Sequence, residues 1–172
     1  MIEKNNIQKI LETFFKFPTR VFYLRELSRE LKLSMPTILN AIKKLKKEDL
    51  VVIKKSKAIT MISANLENQL FTRLKRIYNL EALYLSGLVD FLYEEYKSPQ
   101  AIICFGSYSR GDDIERSDID IAIISSVEKE IDLTKFEKTL LRNISIHIVD
   151  LNKISKEFMA NLYNGLVLGG AL

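Results

Sequence analysis

The chain has 172 residues, 47% of them hydrophobic and 28% charged, with a formal net charge of +4. This balance excludes a disordered or fibrous polymer, and no apolar run nears the roughly 20 residues that cross a bilayer. The leading MIEKNNIQKI lacks the continuous apolar stretch of a secretory signal, and the single cysteine, Cys104, can form no internal disulfide. A soluble protein of the reducing cytoplasm, with no membrane partner, is the expectation.

Charge is divided unevenly. Residues 1–64 hold 14 Lys/Arg against 6 Asp/Glu, a balance of +8, whereas residues 65–172 hold 12 against 16, a balance of −4. The basic half suits a polyanion such as double-stranded DNA, and the acidic half suits divalent cations that accept a nucleotide.

From Glu3 to Phe17, Ile7, Ile10, Leu11, Phe14 and Phe15 recur at helical steps, and Pro18 stops the run. A second helix is predicted over 23–31 on the stripe Leu24, Leu27, Leu31. Ser34 serves as N-cap and Pro36 sits in the first turn of a third helix reaching about Glu48. Its core stripe is Ile38, Ala41, Ile42 and Leu45; Thr37, Asn40, Lys43, Lys44 and Lys47 fall on the outward side. Leu50–Ile53 and Ala58–Ile62 read as strands joined by Lys54, Lys55, Ser56 and Lys57.

Three helices followed by a hairpin resemble the winged helix-turn-helix family over residues 1–64. The resemblance implies that the third helix enters the major groove and the hairpin touches the backbone. Ser34, Thr37, Asn40, Lys43 and Lys44 would then face DNA, with Lys54, Lys55 and Lys57 near phosphates. Lysines on an exposed helix are also simply solvated in many proteins, and such modules also dock proteins.

Residues 65–97 read as a connecting segment. Leu70, Leu74, Ile77, Leu80, Leu83, Tyr84, Leu88, Phe91 and Leu92 keep helical spacing, and Ser86-Gly87 is a candidate break. One long helix or two would pack against both domains or against a second copy of the chain, as a homodimer.

In residues 98–172, the apolar strand Ala101–Phe105 ends in Gly106-Ser107, and after ten intervening residues comes Asp118-Ile119-Asp120 on a second apolar strand. Asp118 and Asp120 project from one face, about 7 Å apart along the strand, and repel unless a cation lies between them. Mg2+, or Mn2+, is the natural occupant, completing its shell with water and phosphate oxygens. Gly106 permits close backbone approach, and Ser107 opens a helix whose N–H groups and hydroxyl can hold phosphate.

The stretches GSYSRG at 106–111 and SDIDI at 117–121 resemble the DNA polymerase β superfamily of nucleotidyltransferases, and most closely its minimal members. The likeness runs over roughly 98–170 and takes in a closing helix and strand around Asn164–Leu168. It implies nucleotide phosphates at Gly106 and Ser107, metal at Asp118 and Asp120, and Arg110 as a further phosphate contact or a surface partner of Asp112 or Asp113. Asp112, Asp113 and Glu115 read as solvated loop residues. The implied fold is α+β: a winged helix-turn-helix, a helical linker, and a small mixed sheet flanked by helices.

The likeness departs at the third carboxylate, which the family takes from a later strand. On Ile144–Val149, His147 stands at that place, and Asp150 follows three residues on with the parity of the isoleucines, so that reaching a metal would require a bulge or a strand end. His147 is a candidate catalytic residue and Asp150 a candidate metal ligand.

The leading expectation is transfer of a nucleoside monophosphate from a nucleoside triphosphate, ATP foremost, to a hydroxyl of a protein or small molecule. The alternative is a DNA-binding transcription regulator whose nucleotidyltransferase domain is an inactive nucleotide sensor. A template-directed or transfer-RNA-processing polymerase would need substrate-holding domains for which this chain is too short.

Overall fold

The computed structural model describes residues 5–56 and 59–171. Lys57, one of the expected hairpin contacts, lies outside them. The chain forms two compact units, residues 1–75 and 76–172.

In the first unit the elements run α1 (Asn6–Lys16), β1 (Phe22–Tyr23), α2 (Leu24–Leu31), α3 (Met35–Lys47), β2 (Val51–Lys55) and β3 (Thr60–Ala64). The three strands make an antiparallel sheet in the order β1-β3-β2. Lys54 and Lys55, read as turn residues, extend β2 and pair with Met61 and Thr60. Ser34 caps α3 as expected, its Oγ accepting from the Thr37 backbone N–H at 3.3 Å, with Pro36 in the first turn. Ile38, Ala41, Ile42 and Leu45 are buried, together with Ile10 and Phe14 of α1, Leu27 of α2 and Ile62 of β3. Phe14 meets Phe22 edge-on at 5.3 Å, and Phe15 meets Phe71 at 5.1 Å.

Helix α4 (Gln69–Leu85) begins in the first unit and ends in the second, and α5 (Leu88–Glu95) follows it. The run breaks at Gly87, which takes a left-handed conformation (φ 76°) that most side chains avoid. Leu83, Leu88, Val89 and Leu92 join the core of the second unit, so this part of the connecting segment belongs to the domain that follows.

The remaining elements are β4 (Ala101–Phe105), α6 (Gly106–Arg110), β5 (Ile119–Ile124), α7 (Thr134–Leu140), β6 (Ile144–Val149), α8 (Lys156–Tyr163) and β7 (Leu166–Gly170). The sheet order is β6-β5-β4-β7, with β5 and β6 parallel and the other pairs antiparallel. The chain is therefore α+β, with a small mixed sheet among helices.

Strand alternation divides the core. Ile102, Cys104, Ile119, Ile121 and Ile123 pack with α5 and Phe136 of α7 on one face. Ala101, Ile103, Phe105, Ala122, Ile124 and Val149 pack with Leu162 and Phe158 of α8 on the other. Asp120 has the parity of Ala122, and His147 has that of Val149, so both belong to the α8 face. No helix among the described residues is long and apolar enough to cross a membrane.

Candidate active site

The site begins where β4 runs out. Phe105 pairs with Asp120 across the antiparallel β4–β5 ladder, and the next residue, Gly106, turns with φ 72°. A Cβ placed on Gly106 would stand 2.5 Å from Asp120 Oδ2, closer than real Cβ contacts. Backbone at the turn and carboxylate on the neighbouring strand thus meet only because residue 106 has no side chain. Ser107 follows on α6, whose first turn is fastened by Ser109 Oγ donating to Gly106 O at 2.8 Å.

Asp118 immediately precedes β5, two residues from Asp120 and hence on the same side of the chain. Asn143 Nδ2 donates to Asp118 Oδ1 at 3.3 Å, and the Ile119 N–H donates to Asn143 O at 2.8 Å. The carboxylate is therefore steadied from the start of β6.

The parallel register sets Asp120 opposite Ser145 and Ala122 opposite His147. His147 Nε2 lies 3.6 Å from Asp120 Oδ1, beyond hydrogen-bond length but within ion-pair range, and 3.2 Å from Ser145 Oγ. Its ring stands edge-on to Phe105 at 5.3 Å and tilted to Phe158 at 6.2 Å. Gly106, Asp120 and His147 are thereby brought together, with Asp118 beside them.

Asp150 lies away from this set, and Arg110 takes one of its two expected places, as a surface partner of Asp112. Asp150 follows Val149, whose register partner is Ile124, four residues or about 13 Å along β5 from Asp120. Lys153, 3.0 Å away, and then the Asn152 N–H, donating at 3.0 Å, hold its carboxyl below the ordinary carboxylate range. No register shift between β5 and β6 carries it back toward Asp120; with Ser125, Ser126 and Asn152 it lines a cavity of about 630 Å3. Arg110 Nε pairs with Asp112 Oδ2 at 3.1 Å, both side chains more than half exposed.

Asp113 corrects the reading of its loop as solvated. It is 2% exposed, accepts from Asn79 Nδ2 at 2.7 Å, and meets Arg142 Nη2 at 3.4 Å. Asn79 also donates to Tyr108 O at 2.9 Å. This buried set ties α4, the end of α6, the loop leading to Asp118 and the start of β6 to one another. In the sequence these partners are 34 and 29 residues from Asp113, so nothing local announces them.

Aspartate oxygens are hard donors, and two carboxylates plus water and phosphate oxygens are a ligand set that magnesium commonly takes. Among the described residues, no group of three or more His, Cys, Asp or Glu forms a protein cage for an ion. Asp118 and Asp120 supply two carboxylates of that chemistry, one steadied by Asn143 and one beside Gly106.

Residues 88–169 match the family model described as polymerase beta, nucleotidyltransferase. No curated protein and no solved structure matches the chain. The matched stretch contains Gly106, Ser107, Asp118, Asp120 and His147.

Proposed function

We propose, from the nucleotidyltransferase-like domain at residues 88–169, that the second unit transfers a nucleoside monophosphate from a nucleoside triphosphate, ATP foremost, to a hydroxyl of a protein or small molecule. The observation that carries this reading is the approach of Asp120 to the side-chain-free turn at Gly106. Asp118 and Asp120 would hold Mg2+ or Mn2+. Such an ion, when bound, neutralises developing charge on the α-phosphate and on the departing pyrophosphate. The chain's own part is placement: Gly106 lets the phosphates approach the backbone, and the Ser107 N–H and hydroxyl hold them. His147 Nε2, 3.6 Å from Asp120 Oδ1, would take the proton of an attacking hydroxyl. Label from α-labelled ATP should pass to an acceptor in cell extract when magnesium is present. Asp118→Asn with Asp120→Asn should abolish that transfer.

A second reading, a nucleotide sensor without turnover, is favoured by one observation: the position flanking Asp120 on β6 carries the imidazole of His147 rather than a carboxylate. It calls for nucleotide binding without label transfer, and for DNA affinity altered by that nucleotide.

For the first unit we propose a winged-helix, DNA-binding role. Asn40, Lys43 and Lys44 on α3 and Lys54 and Lys55 on β2 are exposed, and the half of the chain that contains them carries the positive charge. The hydroxyls of Ser34 and Thr37 lie 2.8 Å apart at the start of α3, where they serve the helix cap first. Affinity for duplex DNA should fall steeply with salt, and lose part of that slope in Lys43→Ala and Lys44→Ala chains.

A further inference from the structure

The outward side of α3 is not uniformly polar. Leu39 is 42% exposed, directly beside exposed Asn40 and one turn before exposed Lys43. A single exposed leucine is ordinary. Leu39, however, has Met35 one turn before it, and Met35 lines a cleft of about 440 Å3 with Tyr23 and Ile59, which are 44% and 49% exposed. Apolar surface is therefore exposed at the start of α3, bordered in the cleft by Arg25, with Lys43 and Lys44 exposed farther along the helix. Lys46 is turned to Asp49 at 3.0 Å and takes no part in that border.

The major groove presents matching chemistry. Its walls are phosphates, which lysines meet. On its floor, adenine offers the N7 acceptor and N6 donor that an asparagine amide satisfies together, and thymine offers a C5 methyl that only apolar surface rewards. A guanine or cytosine edge gives Leu39 nothing to cover and pairs poorly with Asn40. We infer that α3 reads A·T pairs, Asn40 pairing with adenine and Leu39 packing on thymine methyl groups. The inference rests on the DNA-binding reading of the first unit and adds to it the class of sequence recognised.

The test uses the full chain and a pool of random-sequence duplexes. Retained duplexes are resynthesised with deoxyuridine for thymidine, which removes the methyl, or with 7-deazaadenine, which removes N7, and titrated at fixed salt by fluorescence anisotropy. A·T-containing cores are expected, with about fourfold weaker binding per contacted methyl lost, the factor that one buried methylene corresponds to. Leu39→Ala should bind thymidine and deoxyuridine duplexes alike, and Asn40→Ala should be indifferent to 7-deazaadenine. Both positions are exposed on a helix that alanine favours, and circular dichroism verifies the fold. Salt-dependent binding with no A·T preference, or with equal affinity for the two forms, overturns the inference and leaves the DNA-binding reading intact. Absence of duplex binding at low salt, or Leu39-dependent self-association in its place, overturns both.

Discussion

The carboxylate of Asp120 lies in the space that a side chain on Gly106 would need, 2.5 Å from an ideal Cβ, at a residue whose φ of 72° already favours glycine. Gly106→Ala must therefore adopt a strained backbone and displace Asp120 together. We expect a loss of about 1–3 kcal/mol in stability, read by denaturant melts. Nucleotide affinity measured by calorimetry should fall by at least about tenfold, since the approach of backbone to phosphate is lost with the carboxylate position.

Asp113 and Arg142 are 1% and 4% exposed at the side chain, so removing Asp113 takes a charged partner from a buried guanidinium. Asp113→Ala is expected to destabilise the second unit by about 3–5 kcal/mol. Asp112→Ala, which breaks only an exposed pair with Arg110, should leave the melting curve nearly unchanged. Equal effects of the two substitutions would contradict the role assigned to the buried set.

Glu26 accepts the Tyr23 N–H at 3.0 Å at the start of α2, and Arg20 reaches both Glu26 and Glu30, at 2.5 and 2.9 Å. The Tyr23 N–H first, and Arg20 with it, hold the Glu26 carboxyl below its ordinary value near 4.5. A carboxyl held low in the fold stabilises above its unfolded value and loses that contribution as pH falls through the lower folded one. Glu26→Gln should cost on the order of 1 kcal/mol at neutral pH, screened by solvent, and should flatten the acid side of the first unit's stability profile.

Cys104 is fully buried in the sheet, and burial pushes its thiol up to about 12. It stays protonated at neutral pH, and thiol reagents should label it only after unfolding. Rapid labelling of the native chain would contradict the packing of β4.

Much of this architecture was legible in the chain because its signals are local. Ser34 and Pro36 announce the start of α3, Gly87 marks the helix break, and the glycine-serine turn and Asp-x-Asp pair lie within fifteen residues. Parity already set His147 and Asp150 on opposite faces of β6. What was not legible depends on distant partners. Asp113 looks like any loop acid until Asn79 and Arg142 close over it. The two-residue β1 exists only because β3 pairs with it. Leu39 belongs to neither the core stripe nor the polar side read from the sequence, and only its 42% exposure sets it on the surface.

The site can also be divided by substitution. Asp150→Ala should leave nucleotide uptake unchanged, its carboxylate being engaged by Lys153 about 13 Å along the sheet. A large loss there would return Asp150 to the site.

The most direct measurement is calorimetry of the full chain with magnesium and ATP, beside the Asp118→Asn, Asp120→Asn chain. Uptake of the magnesium-nucleotide complex by the parent, and weakening by more than about 100-fold in the variant, is expected, since even outer-shell partners of a metal typically contribute 10–100-fold. Equal uptake by both chains, or none by the parent, would contradict the site at Gly106 and Asp120.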